Sequence, residues 1–123
     1  DAKTYHLNLF FEDDWTNKYQ IVSYGHDIEA SWLIHEAALV VGDQFVEKVE
    51  PVIVKIAEAA DEGLNPDGSM ITRTLSARKI DRELQLGVQA ENVVGHVNLF
   101  QHFGDEEALQ IALRCMEFQF KRN

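Results

Sequence analysis

The sequence is sparing with cysteine and with positive charge. Cys115 is the only cysteine among the 123 residues, so neither an internal disulfide nor a cysteine-based metal cluster can form. Its apolar neighbours, Leu113 and Phe118 among them, indicate a small buried hydrophobe rather than a reactive thiol. Eleven basic residues against 21 acidic ones give a net charge of −10. This charge disfavours nucleic acid and anionic membrane surfaces as partners and favours a neutral or cationic ligand.

Long apolar runs are also absent. The runs present are too short to cross a bilayer, and no basic-then-apolar leader opens the chain. A composition of 46% hydrophobic and 26% charged residues suits one soluble globular unit. The first residues pass straight into a strand-like pattern, so we expect residues 1–123 to be a single fragment of a larger protein.

The residues outside the helices show extended patterns and turn signals. Residues 5–11 alternate as a short strand, and residues 21–23 form a second extended piece. Residues 64–87 are predicted to be a long loop that carries a short hairpin. The turn signal of this hairpin is Asn65-Pro66-Asp67-Gly68, flanked by residues 70–74.

Apolar residues at helical spacing predict an all-α chain of four helices in two hairpins. The predicted helices are 27–41, 43–63, 88–103 and 106–121. The first is apolar on most sides, which is typical of an interior helix. Asp43 can cap the second helix, and Pro51 should either kink it or mark its first turn.

The two predicted hairpins share a sequence repeat. An acid opens an apolar helix and Gly-Asp turns the corner, in two copies displaced by 62 residues. The matching positions are Glu29, Gly42 and Asp43 in the first copy, and Glu91, Gly104 and Asp105 in the second. Repeated helix pairs of this kind predict an α/α solenoid or a closed α/α toroid, in which two copies are part of a longer ring.

His26 and Glu29 stand together at the start of the first predicted helix. The positive helix end disfavours a protonated imidazole, and a neutral histidine can accept a proton as a general base. One turn on, the Glu29 carboxylate can accept a hydrogen bond from the ring or from a substrate hydroxyl. A capping or packing role for His26 is the alternative. A metal site is disfavoured, because the other histidines show no matching spacing.

The second copy brings Gln89 and Glu91 to the start of another apolar helix. If the repeat is real, these polar side chains lie at the same end of the ring as His26 and line one cavity. The alternative for Glu91 is a capping acid in a first helical turn. Trp15 and Trp32 can stack on a sugar ring, although a tryptophan inside an apolar helix is more often part of a core. His35 is predicted on a solvated or interhelical face, and packing or surface positions are predicted for His96 and His102.

Two segments carry a resemblance to a known family. The stretch SYGHDIEASWL, residues 23–33, resembles the signature of cellobiose 2-epimerases within the N-acylglucosamine 2-epimerase family. Residues 89–91, Gln-Ala-Glu, followed by Val-Val-Gly at 93–95, are similar to that family's other inner-helix motif. The form Gly-His-Asp-Ile-Glu favours the disaccharide branch over the N-acylglucosamine enzymes. The similarity covers most of the chain from about Tyr5 onward.

The resemblance implies a fold and a reaction. The fold is an (α/α)6 barrel, of which this chain supplies about four of twelve helices as part of the catalytic domain. The reaction inverts C2 of the reducing-end sugar of a β-linked disaccharide through a cis-enediolate, with no cofactor or metal. The resemblance assigns proton transfer to His26, support and substrate contact to Glu29, and substrate binding near the cavity mouth to Gln89 and Glu91. It further implies a cytoplasmic protein, and the fragment's open ring edges can self-associate.

The sequence also departs from the family pattern. Leu86 and Gly87 stand where the family commonly has tryptophans, so a stacking platform for the sugar is missing. The family's second histidine lies downstream of Asn123. A single base can exchange the C2 proton but inverts the centre poorly, so we expect the fragment to be inactive alone.

Three other functions stay open on the sequence. The first is N-acylglucosamine 2-epimerisation or sugar isomerisation on the same fold. The second is glycoside hydrolysis on an α/α ring with Glu29 and Glu91 as the two carboxylates. The third is a non-catalytic α/α repeat that binds a partner or glycan through its concave face.

Overall fold

The computed structural model describes residues 1–19, 21–76, 79–81 and 83–122, which form two antiparallel helix pairs and a two-stranded hairpin. The helices are α1 (Tyr24–Val41), α2 (Asp43–Ala60), α3 (Leu86–Phe103) and α4 (Glu106–Arg122). Between α2 and α3 lie a 3₁₀ turn (Asp61–Gly63) and the strands β1 (Arg73–Ser76) and β2 (Lys79–Asp81). The four predicted helices in two hairpins are confirmed, although α1 and α3 begin two or three residues earlier than predicted.

Capping explains where α1 begins. The Ser23 hydroxyl accepts the backbone N–H of His26 at 3.3 Å, a side-chain cap for the open helix end. This cap places His26 inside the first turn rather than before the helix. At the other end, the N–H of Gly42 donates to the carbonyl of Ala38 at 3.0 Å and closes the helix.

The two corners of the sequence repeat differ in detail. Gly104 ends α3 in the left-handed region at φ +67°, and Asp105 then accepts the N–H of Ala108 at 3.0 Å to start α4. At the first corner, Gly42 occupies the cap position and Asp43 already lies in the first turn of α2 without a capping bond. The predicted cap by Asp43 was therefore wrong. Pro51 lies in the interior of α2, so the alternative that it marks the first turn was also wrong.

The extended segments were predicted less well than the helices. Residues 5–11 form no continuous strand: only Phe11 makes a bridge, to Asn17, and side-chain bonds from Asp27 of α1 hold His6 and Leu7. The turn at residues 65–68 is confirmed and is closed by a bridge between Leu64 and Met70. The two-stranded hairpin itself lies later, where Arg73 pairs with Asp81.

Helices α1 and α3 run parallel and in close contact. A Cβ at Gly95 would stand 2.5 Å from Ile28, and one at Gly25 would stand 2.8 Å from Val88, so glycine lets the helices approach at both points. The core beneath them comprises Ile28, Ile53, Ala57, Ala60, Met70, Leu99 and Ala108. Because the two helices are parallel, their N-terminal ends meet at one end of the molecule, as the sequence repeat predicted.

One side of α1 is apolar and uncovered. Its exposed residues are Leu33, Ile34, Leu39, Val40 and Val41. The interior position predicted for α1 is therefore reached on one face only within this chain. In the part of the chain that the structure describes, no helix combines the length and apolarity needed to cross a membrane.

Candidate active site

A cavity of about 400 Å³ opens where the N-terminal ends of α1 and α3 meet. Three of the predicted site residues line it: His26 and Glu29 from α1, and Glu91 from α3. The rest of the wall is largely apolar and includes Leu9, Phe10, Ile21, Leu75 and Val88. Polar groups thus converge at one end of a mostly apolar cavity, an arrangement common in small-molecule sites.

His26 is exposed and lies in the first turn of α1. Its Nδ1 is 2.7 Å from the hydroxyl oxygen of Ser23, which also caps the helix. A neutral imidazole has one protonated and one free nitrogen, so an Nδ1–H that donates to Ser23 leaves the lone pair on Nε2. The contact with Ser23 thereby holds the ring beside the cavity, and in the tautomer with Nδ1–H the free nitrogen is Nε2.

Glu29 and Glu91 form a pair of neighbouring carboxyl groups. Partial burial raises the pKa of Glu29, and so do the charge of Glu91 and a side-chain hydrogen bond with it, while nearby His26 acts in the opposite direction. Glu91 is itself held by Trp32, whose indole Nε1–H donates to its Oε2 at 2.7 Å. Trp32 is therefore neither a core residue nor a free stacking platform; it orients a carboxylate of the cavity.

Gln89 occupies a different position from the other three predicted residues. It is 0% exposed and does not line the cavity. Its side-chain amide accepts the N–H of Met70 and donates to the C=O of the same residue, both at 2.8 Å. With both ends of the amide used in this way, the structure gives Gln89 a position that supports the loop before β1. Substrate contact through Gln89 has no support in this geometry.

The two positions at which the family commonly has tryptophans are not filled by packed side chains. Leu86 is 69% exposed, and Gly87 lines the cavity with nothing within 4 Å of the point a Cβ would occupy. Arg73, which sequence reasoning did not single out, lines the cavity from β1 and pairs with Asp81 at 3.4 Å. Arg73 lies beside the cavity because β1 pairs with β2, and the sequence did not predict this pairing.

The aspartate of the Gly-His-Asp-Ile-Glu segment faces away from the cavity. Asp27 is buried and its Oδ2 lies 2.6 Å from Nδ1 of His6, while its Oδ1 accepts the N–H of Leu7 at 2.9 Å. Burial raises the pKa of Asp27, and these hydrogen bonds partly offset that effect. The contact of His6 with Asp27 was not predicted, because the two residues lie 21 positions apart in the sequence. The available signal was Asp27 itself, an acid within an apolar helix.

His35, His96 and Cys115 are internal, whereas His102 is exposed, which agrees with the surface alternative predicted for it. His35 lies between α1 and α3, where its Nδ1 accepts from Asn98 at 3.2 Å, which agrees with the interhelical alternative. His96 is buried and bonds to Asp61 at 2.7 Å, so it is a packing residue. Cys115 is fully buried, as predicted. Among the residues described, no three His, Cys, Asp or Glu side chains gather as metal ligands.

Known proteins with similar sequences share one activity in their names. No family model matches the chain. It is 56% identical over 120 residues to the cellobiose 2-epimerase of Bacteroides fragilis, which covers 96% of this chain and 31% of that protein. It is 33% identical over 119 residues to the cellobiose 2-epimerase of Dictyoglomus turgidum, covering 96% and 30%.

Solved structures agree with the sequence comparison. A sugar epimerase from a ruminal bacterium superposes with a TM-score of 0.89 at 35% identity, covering 95% of this chain and 30% of that one. The cellobiose 2-epimerase of Bacillus thermoamylovorans superposes with a TM-score of 0.86 at 33% identity, covering 96% and 30%. The chain thus spans roughly three tenths of the length of these relatives. The chain is thus similar in sequence and in fold to cellobiose 2-epimerases, and it forms a four-helix slice of their (α/α)6 barrel.

Proposed function

We propose that this chain carries one part of the active site of a sugar 2-epimerase, which inverts C2 of the reducing-end sugar of a β-linked disaccharide of the cellobiose or mannobiose type. The observation that supports it is the convergence of His26, Glu29 and Glu91 on one cavity. The names of the relatives favour a cellobiose-type substrate. The cytoplasmic location stays a prediction.

In the proposed reaction His26 removes the proton at C2 of the opened sugar. The Nε2 lone pair of His26 takes the proton, the electrons of the C2–H bond form a C1=C2 double bond, and the C1 oxygen gains negative charge as the cis-enediolate. Ser23 holds Nδ1 during this step, so the ring keeps its orientation. A general base positioned in this way typically contributes about 10²–10⁴-fold to the rate.

The carboxyl pair of Glu29 and Glu91 is suited to stabilise the C1 oxygen of the sugar, which becomes negatively charged. Because its pKa is raised, Glu29 keeps a proton to a higher pH than an ordinary glutamate. A protonated carboxyl can donate a hydrogen bond to the C1 oxygen as negative charge develops there. Trp32 keeps Glu91 in place beside it, so the pair is preorganised for this contact.

Inversion needs a second proton donor on the opposite face of C2. Among the described residues that line the cavity, His26 is the only histidine. We therefore expect this chain by itself to exchange the C2 hydrogen and to invert the centre poorly. The product epimer should form efficiently only in a longer protein that supplies the opposite face.

The competing functions fit the carboxyl pair less well. Glycosidases hold their two carboxyl groups about 5–5.5 Å apart or about 6.5–9.5 Å apart, to leave room for the sugar or a water. Glu29 and Glu91 are close enough to share a hydrogen bond. A purely binding module does not require a histidine fixed by the helix cap. N-acylglucosamine epimerisation is disfavoured only by the relatives' names.

A graft tests the proposal in a complete barrel. This chain would replace the matched segment of the Bacteroides fragilis enzyme, and epimerisation of cellobiose at C2 would be followed by chromatography. The graft should form the epimer, and its His26→Ala variant should lose about 10²-fold or more of the rate. Glu58→Gln, an exposed change on α2 outside the cavity, is the control. A His26→Ala graft that retains its rate would contradict the proposal.

We also propose that the chain self-associates through the exposed face of α1. The support is the uncovered apolar surface of Leu33, Val40 and Val41, since such patches on small proteins favour association.

A further inference from the structure

The cavity that contains the carboxyl pair is also lined by an aromatic ring. Phe10 lies in the segment before α1, lines the same cavity as His26 and Glu91, and is 48% exposed. Phe10 packs on Tyr19, and about half of its surface is left open in a cavity that three polar side chains also line. Phe10 is part of the cavity wall and does not belong to the hydrophobic core.

A pyranose ring has the two kinds of surface that this cavity offers. Its hydroxyl groups point outward and bind carboxylates and imidazole, while its C–H groups form an apolar face that packs on an aromatic ring. We propose that Phe10 is a specificity-determining residue whose ring packs against the apolar face of the bound sugar. This inference rests on the proposed function, because it assigns the same cavity to a sugar.

Contacts within the loop hold the Phe10 ring in place before any sugar arrives. Tyr19 meets it edge to face, with ring centroids 5.6 Å apart and an interplanar angle of 76°. The carbonyl of Phe10 accepts the N–H of Lys18 at 2.8 Å, which closes the loop between the two rings. A ring that is already ordered costs little conformational entropy on binding.

The N-terminal segment is also tied to the catalytic helix. Asp27, next to His26 in α1, bonds to His6 and to the N–H of Leu7, three residues before Phe10. Gly87 lines the cavity without a side chain, so the space is free for a ligand. The aromatic ring and the proton acceptor are thus fixed relative to each other through one buried aspartate.

A titration with cellobiose tests the assignment. Cellobiose would be added to the wild-type chain and to its Phe10→Leu, Phe10→Tyr and Phe11→Leu variants, and binding would be followed in ¹H–¹⁵N correlation NMR spectra. Circular dichroism would confirm that the helices are retained. Phe11 is the matched control because it is 42% exposed, packs on Trp15 at 5.7 Å and does not line the cavity. Phe10→Leu should weaken binding about fivefold, Phe11→Leu should leave it unchanged, and Phe10→Tyr should retain it.

The outcomes separate this inference from the proposed function. Equal affinities for Phe10→Leu and the wild-type chain, or equal losses in Phe10→Leu and Phe11→Leu, would overturn the role of Phe10 and leave the epimerase proposal standing. Binding that depends on Phe10 in a chain that never exchanges the C2 hydrogen would contradict the epimerase proposal alone. A wild-type chain that binds no cellobiose would contradict both.

Discussion

At the scale of single residues, Glu29 and Glu91 change each other's affinity for protons. The pKa of Glu29 is raised by burial first and by Glu91 second. Glu91→Gln removes a neighbouring negative charge, so the pKa of Glu29 should fall towards its ordinary value of 4.5 without reaching it, since burial remains. A ¹³C NMR titration of the Glu29 carboxyl measures this change.

The same pair makes stability depend on pH in a defined direction. A carboxyl whose pKa is raised on folding is destabilising in its ionised form, so this contribution to the free energy of unfolding falls as pH rises from 4.5 through the raised pKa. Glu91→Gln should reduce that fall, whereas Glu58→Gln, exposed on α2, should not. A pKa of Glu29 that is unchanged in Glu91→Gln would show that the two groups do not interact.

The residues of the site could be predicted to different degrees. His26, Glu29 and Glu91 were predicted to line one cavity and do so, because local spacing and the repeat place them at two parallel helix starts. Gln89 belongs to the same motif as Glu91, but its side chain points into the core. Spacing could not predict this, because packing sets the direction of side chains on a helix that is apolar on most sides. The position of Phe10 in the cavity wall was not predicted, because it lies in a segment whose path depends on tertiary contacts.

At the scale of secondary-structure elements, the amide of Gln89 joins α3 to the loop before β1. Gln89→Leu leaves the N–H and C=O of Met70 buried without partners, which should lower the free energy of unfolding by about 2–4 kcal/mol. Urea denaturation followed by circular dichroism measures the change. Gln101→Leu, an exposed position on the same helix, is the control. A Gln89→Leu chain as stable as the wild type would contradict the structural role.

The helices could be predicted more completely than the extended segments, for a physical reason. Helices α1 to α4 are specified by local periodicity and by Gly42 and Gly104 at their ends. A strand needs a partner along its whole length, and in residues 5–11 only Phe11 makes a bridge, to Asn17; His6 and Leu7 are held by Asp27, which lies 21 and 20 residues away in sequence. Long-range contacts of this kind leave no periodic signal in the segment itself.

At the scale of the whole molecule, the exposed apolar face of α1 predicts self-association. Val40 is 87% exposed at this face. We expect sedimentation velocity to show a concentration-dependent increase in size for the wild-type chain and a smaller increase for Val40→Glu, because a buried charge opposes the contact. Glu47→Gln, exposed on α2, should behave as the wild type. A chain that stays monomeric at all concentrations would contradict this expectation.

The whole molecule also supplies the cavity, because two parallel helices place their first turns side by side. The chemistry proposed for this cavity depends on a proton that leaves C2 of the sugar for His26. Proton NMR of cellobiose in deuterated water measures that transfer directly, as the loss of the C2–H signal of the reducing-end sugar. The wild-type chain should cause this loss and His26→Ala should not. Equal rates of loss with the two chains, or a signal that persists with both, would contradict the assignment of His26 as the base.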